Sequence, residues 1–323
     1  MTQLTDVLGA PYHAETIHLG SDDEGSVVAT LVRRNADAPT GRAVLHLHGF
    51  CDYFFQTGLA DFYTSEGYDF YALDLRKHGR SLLPHQTPNF CRDLREYFPE
   101  VDAALQRIRV RDAHHAVVLD AHSTGGLIGA LWADEHRSSG VALVDALVLN
   151  SPWLDLRGSL LLRTAGTRAI DQVGLRRPYQ VLPRTVARAY GESLHVDHRG
   201  EWTFDLNWKP VASFPIRAGW LRAVRRGHQR LHRGLDVGAP ALVLCSSRSS
   251  AAQQWDDDCA CTDTVLDVGQ IARWAHALGP QVTIARIEGA LHDVLCSAKP
   301  VRDGAYAQIR RWLGTYLVSA GDD

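Results

Sequence analysis

The sequence predicts an α/β fold with a mostly parallel, doubly wound sheet, an antiparallel hairpin near the N-terminus and an inserted helical cap. Two observations predict the sheet. Short apolar runs alternate with helix-like segments in both the first and the last part of the chain, as parallel sheets require. Two of these runs, at 116–119 and 241–245, are apolar throughout, which is typical of strands covered on both faces. A third observation, the loss of this alternation over residues 155–236, predicts the cap.

The first part of the chain begins with the hairpin. Residues 13–19 and 26–34 alternate apolar and polar side chains on either side of a polar turn, a pattern that favours two antiparallel strands. The following apolar runs predict buried strands at 43–48, 68–75, 116–119 and 144–149. Helices are predicted over 61–67, with Gly67 as the C-cap, and over 93–109 and 124–133.

The alternation resumes near the C-terminus. Strands are predicted at 241–245 and 282–287, and helices at 268–278 and 303–318. We therefore assign residues 1–154 and 237–323 to the α/β core. Residues 155–236 form the predicted cap, with helices expected over 154–169 and 217–231.

Composition limits the class of protein. The chain has 323 residues, 45% of them apolar and 22% charged, and a net charge of −3. These values are ordinary for a globular protein and give no reason to expect a nucleic-acid partner. No apolar run is long enough for stable membrane insertion, and the first 20 residues lack the pattern of a secretory signal. The six cysteines are scattered, so we expect reduced thiols and a cytoplasmic location.

The predicted cap differs from the core in charge. Residues 155–236 contain 15 basic and 7 acidic side chains, a net charge of +8, so the rest of the chain carries −11. We interpret this excess mainly as a basic surface that pairs with an acidic core. Attraction of anionic substrates is the alternative.

The segment at 121–126 carries the main chemical signal. It follows the apolar run at 116–119 and precedes a helix, so the chain breaks sharply at Ser123. Such a turn exposes a serine hydroxyl and needs small residues two positions away on each side, here Ala121 and Gly125. The helix N-terminus behind it suits a developing negative charge. The alternative is that Ser123 is only a helix N-cap.

Five segments together carry a resemblance to a known family. They are His48-Gly49, residues 74–81, the turn at Ser123, Asn150-Ser151-Pro152, and residues 289–293 with His292. The order and spacing of these five segments resemble those of the α/β-hydrolase superfamily. Within it the chain is most similar to the group of monoglyceride lipases, lysophospholipases and serine aminopeptidases.

The resemblance implies a catalytic triad in the order serine, acid, histidine. Ser123 is then the nucleophile, His292 the base and Asp263 the acid that orients it. The loop around the acid is long, so other carboxylates remain open as candidates for that role: Asp256, Asp257, Asp258 and Asp267. Asp267 also fits an N-cap of the helix that follows it.

The resemblance also implies roles around the triad. The backbone N–H groups of Phe50 and Thr124 are expected to form the oxyanion hole. His48 and His122 are expected to be structural, and Asp74 and Arg80 to form an ion pair that holds a turn.

The aromatic loop after residue 49 predicts a pocket. Trp153, Tyr53 and Phe54 are expected to bind an apolar acyl or aryl group, although packing of the cap explains aromatic residues equally well. We interpret Cys259-x-Cys261 as part of a solvated acidic loop rather than a metal site. No metal or organic cofactor is expected.

The sequence therefore predicts a serine hydrolase of small carboxylic esters, of carboxylesterase or monoacylglycerol-lipase type. An aminopeptidase, thioesterase or acyltransferase with the same residues is the alternative. A non-catalytic ligand receptor on the same fold is a further one. Dehalogenases and epoxide hydrolases of the superfamily carry Asp at the position of Ser123, which disfavours both.

Overall fold

The computed structural model describes residues 4–137, 142–158, 170–183, 188–251 and 255–317. Within them, nine strands form one mixed sheet in the order β1-β2-β3-β5-β4-β6-β7-β8-β9. The strands are β1 Leu4–Thr5, β2 His13–Asp22, β3 Gly25–Arg34, β4 Arg42–Leu47, β5 Tyr68–Asp74, β6 Ala116–His122, β7 Ala146–Asn150, β8 Ala241–Ser246 and β9 Val282–Ile287.

Helices connect these strands. They are α1 Thr57–Ser65, α2 Phe98–Gln106, α3 Thr124–Arg137, α4 (described over 170–176), α5 Arg188–Leu194, α6 Ala218–Leu231, α7 Val268–Trp274 and α8 Lys299–Tyr316. No helix among these residues is both long and apolar enough to cross a membrane.

The sheet has the predicted topology. Strands β4 to β9 are parallel to one another, whereas β1, β2 and β3 pair antiparallel and join the parallel part through β5. Every residue of β5, β7 and β8 is buried, as expected for strands with helices on both faces. The prediction of a mostly parallel sheet with an N-terminal antiparallel hairpin is confirmed.

Two apolar clusters cover the two faces of the sheet. Successive residues of β4, Val44 and Leu45, belong to different clusters because side chains alternate along a strand. Helices α2, α3, α6 and α7 bury residues in the cluster of Leu45. Helices α1 and α8 bury residues in the cluster of Val44. All six parallel strands therefore end at one edge of a sheet that is held between helices.

Several predicted helices differ from the structure. The helix predicted over 268–278 is α7 followed by a 3₁₀ turn at Ala275–Leu278, and α1 has Glu66 rather than Gly67 as its C-cap. The segment predicted as one helix over 93–109 is a 3₁₀ turn at Leu94–Tyr97, then α2, then a π turn at Arg107–Arg111. Pro99 has no N–H to donate, so an α-helix can contain it only in the first turn. The helix predicted over 154–169 is not present at 154–158, and its remainder lies outside the described residues.

The described part of the predicted cap contains α5 and α6, together with the described residues of α4. Helix α6 packs on α3, and a Cβ at Gly227 would lie within 3.2 Å of leucine side chains that include Leu127 and Leu131. The helix expected over 217–231 is therefore present. The division of the chain into core and cap stays a prediction.

Candidate active site

Ser123 lies in the turn between β6 and α3. Its φ is 53°, a left-handed conformation that non-glycine residues rarely adopt and that is typical of functional turns. A Cβ on Gly125 would lie 2.4 Å from the carbonyl oxygen of His48, and one on Gly126 would lie 2.8 Å from Cβ of Pro152. Glycine at these two positions lets α3 approach the sheet closely enough to hold the serine at the strand edge.

Ser123, His292 and Asp263 come together from three separate loops. The Oγ of Ser123 lies 3.0 Å from Nε2 of His292. The Nδ1 of the same imidazole lies 2.9 Å from Oδ2 of Asp263. The three residues are 7%, 2% and 0% exposed, respectively. The hydroxyl is thus the outermost member of a buried hydrogen-bond chain.

Backbone hydrogen bonds to the second carboxylate oxygen of Asp263 hold the carboxylate beside His292. It accepts the backbone N–H groups of Val265 at 2.8 Å and Leu266 at 2.7 Å. An ionised carboxylate only accepts hydrogen bonds, so Nδ1 of His292 carries the proton that it donates to Asp263. Nε2 is then free to accept the hydroxyl proton of Ser123.

The other four candidate acids lie elsewhere. Asp267 caps α7 by accepting the N–H of Gly269 at 2.9 Å, as the alternative interpretation predicted. Asp256 caps the 3₁₀ turn Asp257–Ala260, Asp257 is exposed, and Asp258 pairs with Arg248 at 3.1 Å. Of the five carboxylates, the structure brings Asp263 to His292.

Two neighbouring histidines have geometry that suits a structural role. The ring of His122 lies 4.9 Å from that of His292, and burial lowers the pKa of His122 to about 4. His48 accepts the backbone N–H of Leu75 at 3.0 Å, and burial lowers its pKa as well. With this low pKa, His122 is neutral at neutral pH and places no positive charge beside the triad.

Asp74 and Arg80 form the predicted ion pair. Their side chains are 2.9 Å apart, and Arg80 also pairs with Asp6 at 2.6 Å. Asp74 further accepts the backbone N–H of Phe54 at 2.9 Å. The pair therefore holds the loops after β4 and β5 together.

The predicted oxyanion donors lie on both sides of Ser123. Thr124 is the first residue of α3, where backbone N–H groups have no partner within the helix. The loop that carries Phe50 passes close by, because a Cβ on Gly49 would lie 3.1 Å from Cβ of Ser123. In the described part of the chain, no protein atom accepts a hydrogen bond from the N–H of Phe50 or of Thr124. Both groups are therefore available to a ligand.

A cavity of about 550 Å³ opens onto the triad. Its lining combines the strand-end loops with residues of the predicted cap: Phe50, Asp52, His122, Ser123, Thr124, Trp153, Arg157, Pro183, Arg188, Tyr190, Lys209, Ala212, Ile216, Trp220, Ala251, Thr264, Val265, Leu266 and His292. The ring of Trp220 lies 4.0 Å from that of Phe50 and 5.7 Å from that of Trp153. Three aromatic rings thus form an apolar part of the wall, which suits a small organic ligand.

Trp153 lines this cavity, but Tyr53 and Phe54 do not. Phe54 is fully buried beneath the sheet, where its ring lies 5.0 Å from that of Phe70. The hydroxyl of Tyr53 accepts the backbone N–H of Asp205 at 2.7 Å. The structure therefore does not place Tyr53 or Phe54 in the wall of this cavity, because residue type does not show the direction in which a loop side chain points, and their role in substrate binding stays a prediction.

Two polar clusters near the triad were not assigned from the sequence. Asn150 donates to Asp293 at 2.7 Å and accepts the N–H of Val294 at 3.0 Å, which ties the loop of His292 to the end of β7. The motifs at 150–152 and 289–293 were the available signal. A second pair, Asp52 and Lys209, joins distant segments, and no local pattern indicates it.

Comparison with known proteins gives one family. A family model described as serine aminopeptidase, S33, matches residues 38–297. A search of curated proteins gave no significant match.

The described residues contain no cluster of His, Cys, Asp or Glu suited to a metal ion.

Several solved structures share the fold. A soluble variant of the monoglyceride lipase of Saccharomyces cerevisiae has a TM-score of 0.68 and 15% identity, over 94% of this chain and 95% of that chain. The monoacylglycerol lipase of Paleococcus ferrophilus has a TM-score of 0.64 and 18% identity, over 88% and 99%. An esterase of Pyrococcus furiosus has a TM-score of 0.53 and 14% identity, over 94% and 93%.

These identities are low, so the solved structures support the fold, whereas the family model spans most of the chain. The chain therefore belongs to the S33 serine aminopeptidase family of the α/β-hydrolase superfamily.

Proposed function

We propose that this protein is a serine hydrolase that cleaves small carboxylic esters through an acyl-enzyme intermediate. The hydrogen-bond chain from Asp263 through His292 to Ser123 carries the proposal. Serine is a weak nucleophile unless a positioned base removes its proton. Membership of a hydrolase family and the likeness to lipases and esterases support the reaction class.

The first half of the proposed reaction forms the acyl-enzyme. Nε2 of His292 takes the proton of Ser123 as Oγ bonds to the ester carbonyl carbon. The carbonyl oxygen becomes an oxyanion that accepts the N–H groups of Phe50 and Thr124. The carbon–oxygen bond to the alcohol then breaks, and His292 gives its proton to the departing alcohol.

The second half releases the acid. His292 takes a proton from water while the water oxygen attacks the acyl carbon. The second oxyanion uses the same two N–H groups, and its collapse returns the proton to Ser123. Asp263 remains ionised throughout and stabilises the imidazolium that forms in each half.

The charges around the cavity favour esters over peptides with a free N-terminus. An aminopeptidase needs a carboxylate that receives the ammonium of its substrate. Among the described residues that line the cavity, Asp52 is the one carboxylate, and its Oδ1 lies 2.8 Å from the ammonium of Lys209. The aromatic part of the wall suits an acyl or aryl group instead.

Hydrolysis of p-nitrophenyl esters of increasing acyl length tests the proposal. An aminoacyl p-nitroanilide and an acyl thioester serve as the amide and thioester comparators. We expect ester turnover that depends on chain length, with much slower release from the anilide. Because an acyl-enzyme forms, esters with different alcohols and one acyl group should share the same deacylation rate.

Ser123→Ala is the control for this assay. Its ester turnover should fall by at least about 10⁴-fold, because removing a triad member leaves only binding and the oxyanion hole. Faster cleavage of the anilide than of all esters would contradict ester specificity. Wild-type protein inert towards every substrate would favour the receptor alternative.

A further inference from the structure

The loop that would supply half of the oxyanion hole is fastened to the predicted cap. Four consecutive residues of this loop, 50–53, each contact a residue in the segment 205–220. The contacts are Phe50 with the ring of Trp220 at 4.0 Å, Cys51 Sγ with the N–H of Phe214 at 3.4 Å, Asp52 with Lys209 at 2.8 Å, and Tyr53 with the N–H of Asp205 at 2.7 Å.

Of these four contacts, the ion pair of Asp52 and Lys209 is the one between charged groups, and it is buried. Asp52 is 2% exposed and Lys209 is 6% exposed. The ammonium of Lys209 also lies 5.5 to 5.7 Å from the ring centres of Phe55, Tyr190 and Phe204. Burial opposes both charges, yet each partner stabilises the other, so the pKa of Asp52 is lowered and that of Lys209 is raised.

The backbone of the loop needs such an anchor. Cys51 has a φ of 51°, a conformation that is strained for a residue with a side chain and persists only when its surroundings impose it. Asp52 follows Cys51 directly, and Phe50 precedes it. The turn at Cys51 therefore links the backbone at Phe50 to the anchored side chain of Asp52.

We propose that Lys209 is a positioning residue for the oxyanion hole. Through Asp52 it holds the turn at residues 50–52 in the orientation that aims the N–H of Phe50 at the substrate carbonyl oxygen. The inference rests on the proposed ester hydrolysis and assigns to the predicted cap a part in the chemistry. Loss of Lys209 therefore reduces stabilisation of the transition state more than it reduces binding of the substrate.

Lys209→Met tests this role because it keeps the length of the side chain and removes the charge. We expect kcat per active site to fall about 10- to 100-fold, somewhat less than the loss of a whole oxyanion donor, with KM changed by less than about threefold. Active sites are counted by complete labelling with a fluorophosphonate. Lys209→Arg should recover most of the activity.

A second readout reports on the oxyanion itself. A trifluoromethyl ketone accepts Ser123 Oγ at its carbonyl carbon while the serine proton passes to His292, and the resulting oxyanion occupies the hole. Its affinity should fall by the same factor as kcat in Lys209→Met. The corresponding secondary alcohol, which forms no such adduct, should bind both proteins equally.

Arg225→Met is the matched control. Arg225 and Asp155 form another buried pair at 2.8 Å, and both residues lie within the predicted cap. We expect lower stability but unchanged kcat per active site. Where Lys209→Met does not fold, Asp52→Asn takes its place with the same readouts.

Unchanged kcat per active site in the folded variant would overturn the inference. So would equal losses of affinity for the ketone and the alcohol, which indicate a role in binding alone. Either result leaves ester hydrolysis by the wild type intact, whereas failure of the proposed function shows as an inert wild type.

Discussion

Among the described residues, two buried imidazole–carboxylate pairs have closely similar geometry. His292 lies 2.9 Å from Asp263 in the loops beyond the strand ends. His46 lies 2.7 Å from Asp120 within the sheet itself, on β4 and β6. All four side chains are almost completely buried.

The two pairs differ in what surrounds them. Nε2 of His292 contacts Ser123 at the wall of the cavity. Nε2 of His46 has no hydrogen-bond partner among the described residues, and the ring of His46 packs near aromatic rings of the core. The second oxygen of Asp120 accepts the hydroxyl of Tyr63 at 3.0 Å. A histidine and an acid thus become a candidate site when a nucleophile and a cavity adjoin them.

The strongest test of this contrast exchanges each acid for its amide. We expect Asp263→Asn to lower kcat about 10³- to 10⁴-fold, because the amide no longer holds the imidazole in the reactive tautomer. The melting temperature should fall less than in Asp120→Asn, because Nε2 of His292 faces Ser123 and the cavity, whereas Nε2 of His46 has no partner among the described residues. Steady-state ester hydrolysis and thermal unfolding measure the two effects.

Asp120→Asn should behave in the opposite way. Removal of one partner from a buried pair costs about 3 kcal/mol of unfolding free energy, while kcat per active site should stay within about threefold. A large loss of activity in folded Asp120→Asn would place the buried pair in the chemistry and contradict the comparison.

The pH dependence of stability tests the buried pair of His46 and Asp120. Burial opposes the charge of His46, but the hydrogen bond and charge of Asp120 raise its pKa above the ordinary value of 6.5. A pKa that is higher in the folded state adds stability below the unfolded pKa and loses it as the pH rises through the folded one. Wild type should therefore exceed His46→Gln in unfolding free energy most clearly below pH 6.5. Denaturant unfolding at several pH values measures this difference, and a difference that grows with pH would contradict it.

The smallest effects are expected at the other acidic residues of the loop. Asp267→Ala removes the N-cap of α7 and should cost about 1 kcal/mol of stability. Asp256→Asn should cost less, because asparagine also caps helices well. Both variants should keep kcat within about threefold, and an inactive but folded Asp256→Asn would reassign the acid.

The sequence predicted the sheet and the meeting of the triad residues for a physical reason. Parallel strands place their carboxyl ends at one edge, so residues just after those strands lie close together whatever their distance along the chain. Ser123 and His292 satisfy this condition. The capping role of Asp267 could also be read locally, because a cap uses neighbouring backbone groups.

Features without a local pattern could not be predicted from the sequence. Asp52 and Lys209 are 157 residues apart, and nothing in either neighbourhood indicates the partner. Phe50 and Phe54 belong to one aromatic loop, yet one lines the cavity and the other packs under the sheet. Between them lies the left-handed turn at Cys51, which no glycine or asparagine marks in the sequence.

In the proposed reaction, Ser123 is a nucleophile activated by His292. Fluorophosphonate labelling followed by peptide mass mapping tests it directly. We predict one adduct, on Ser123, in the wild type, none in Ser123→Ala, and labelling slowed by orders of magnitude in His292→Ala. An adduct on another residue, or equal labelling of wild type and Ser123→Ala, would contradict the claim.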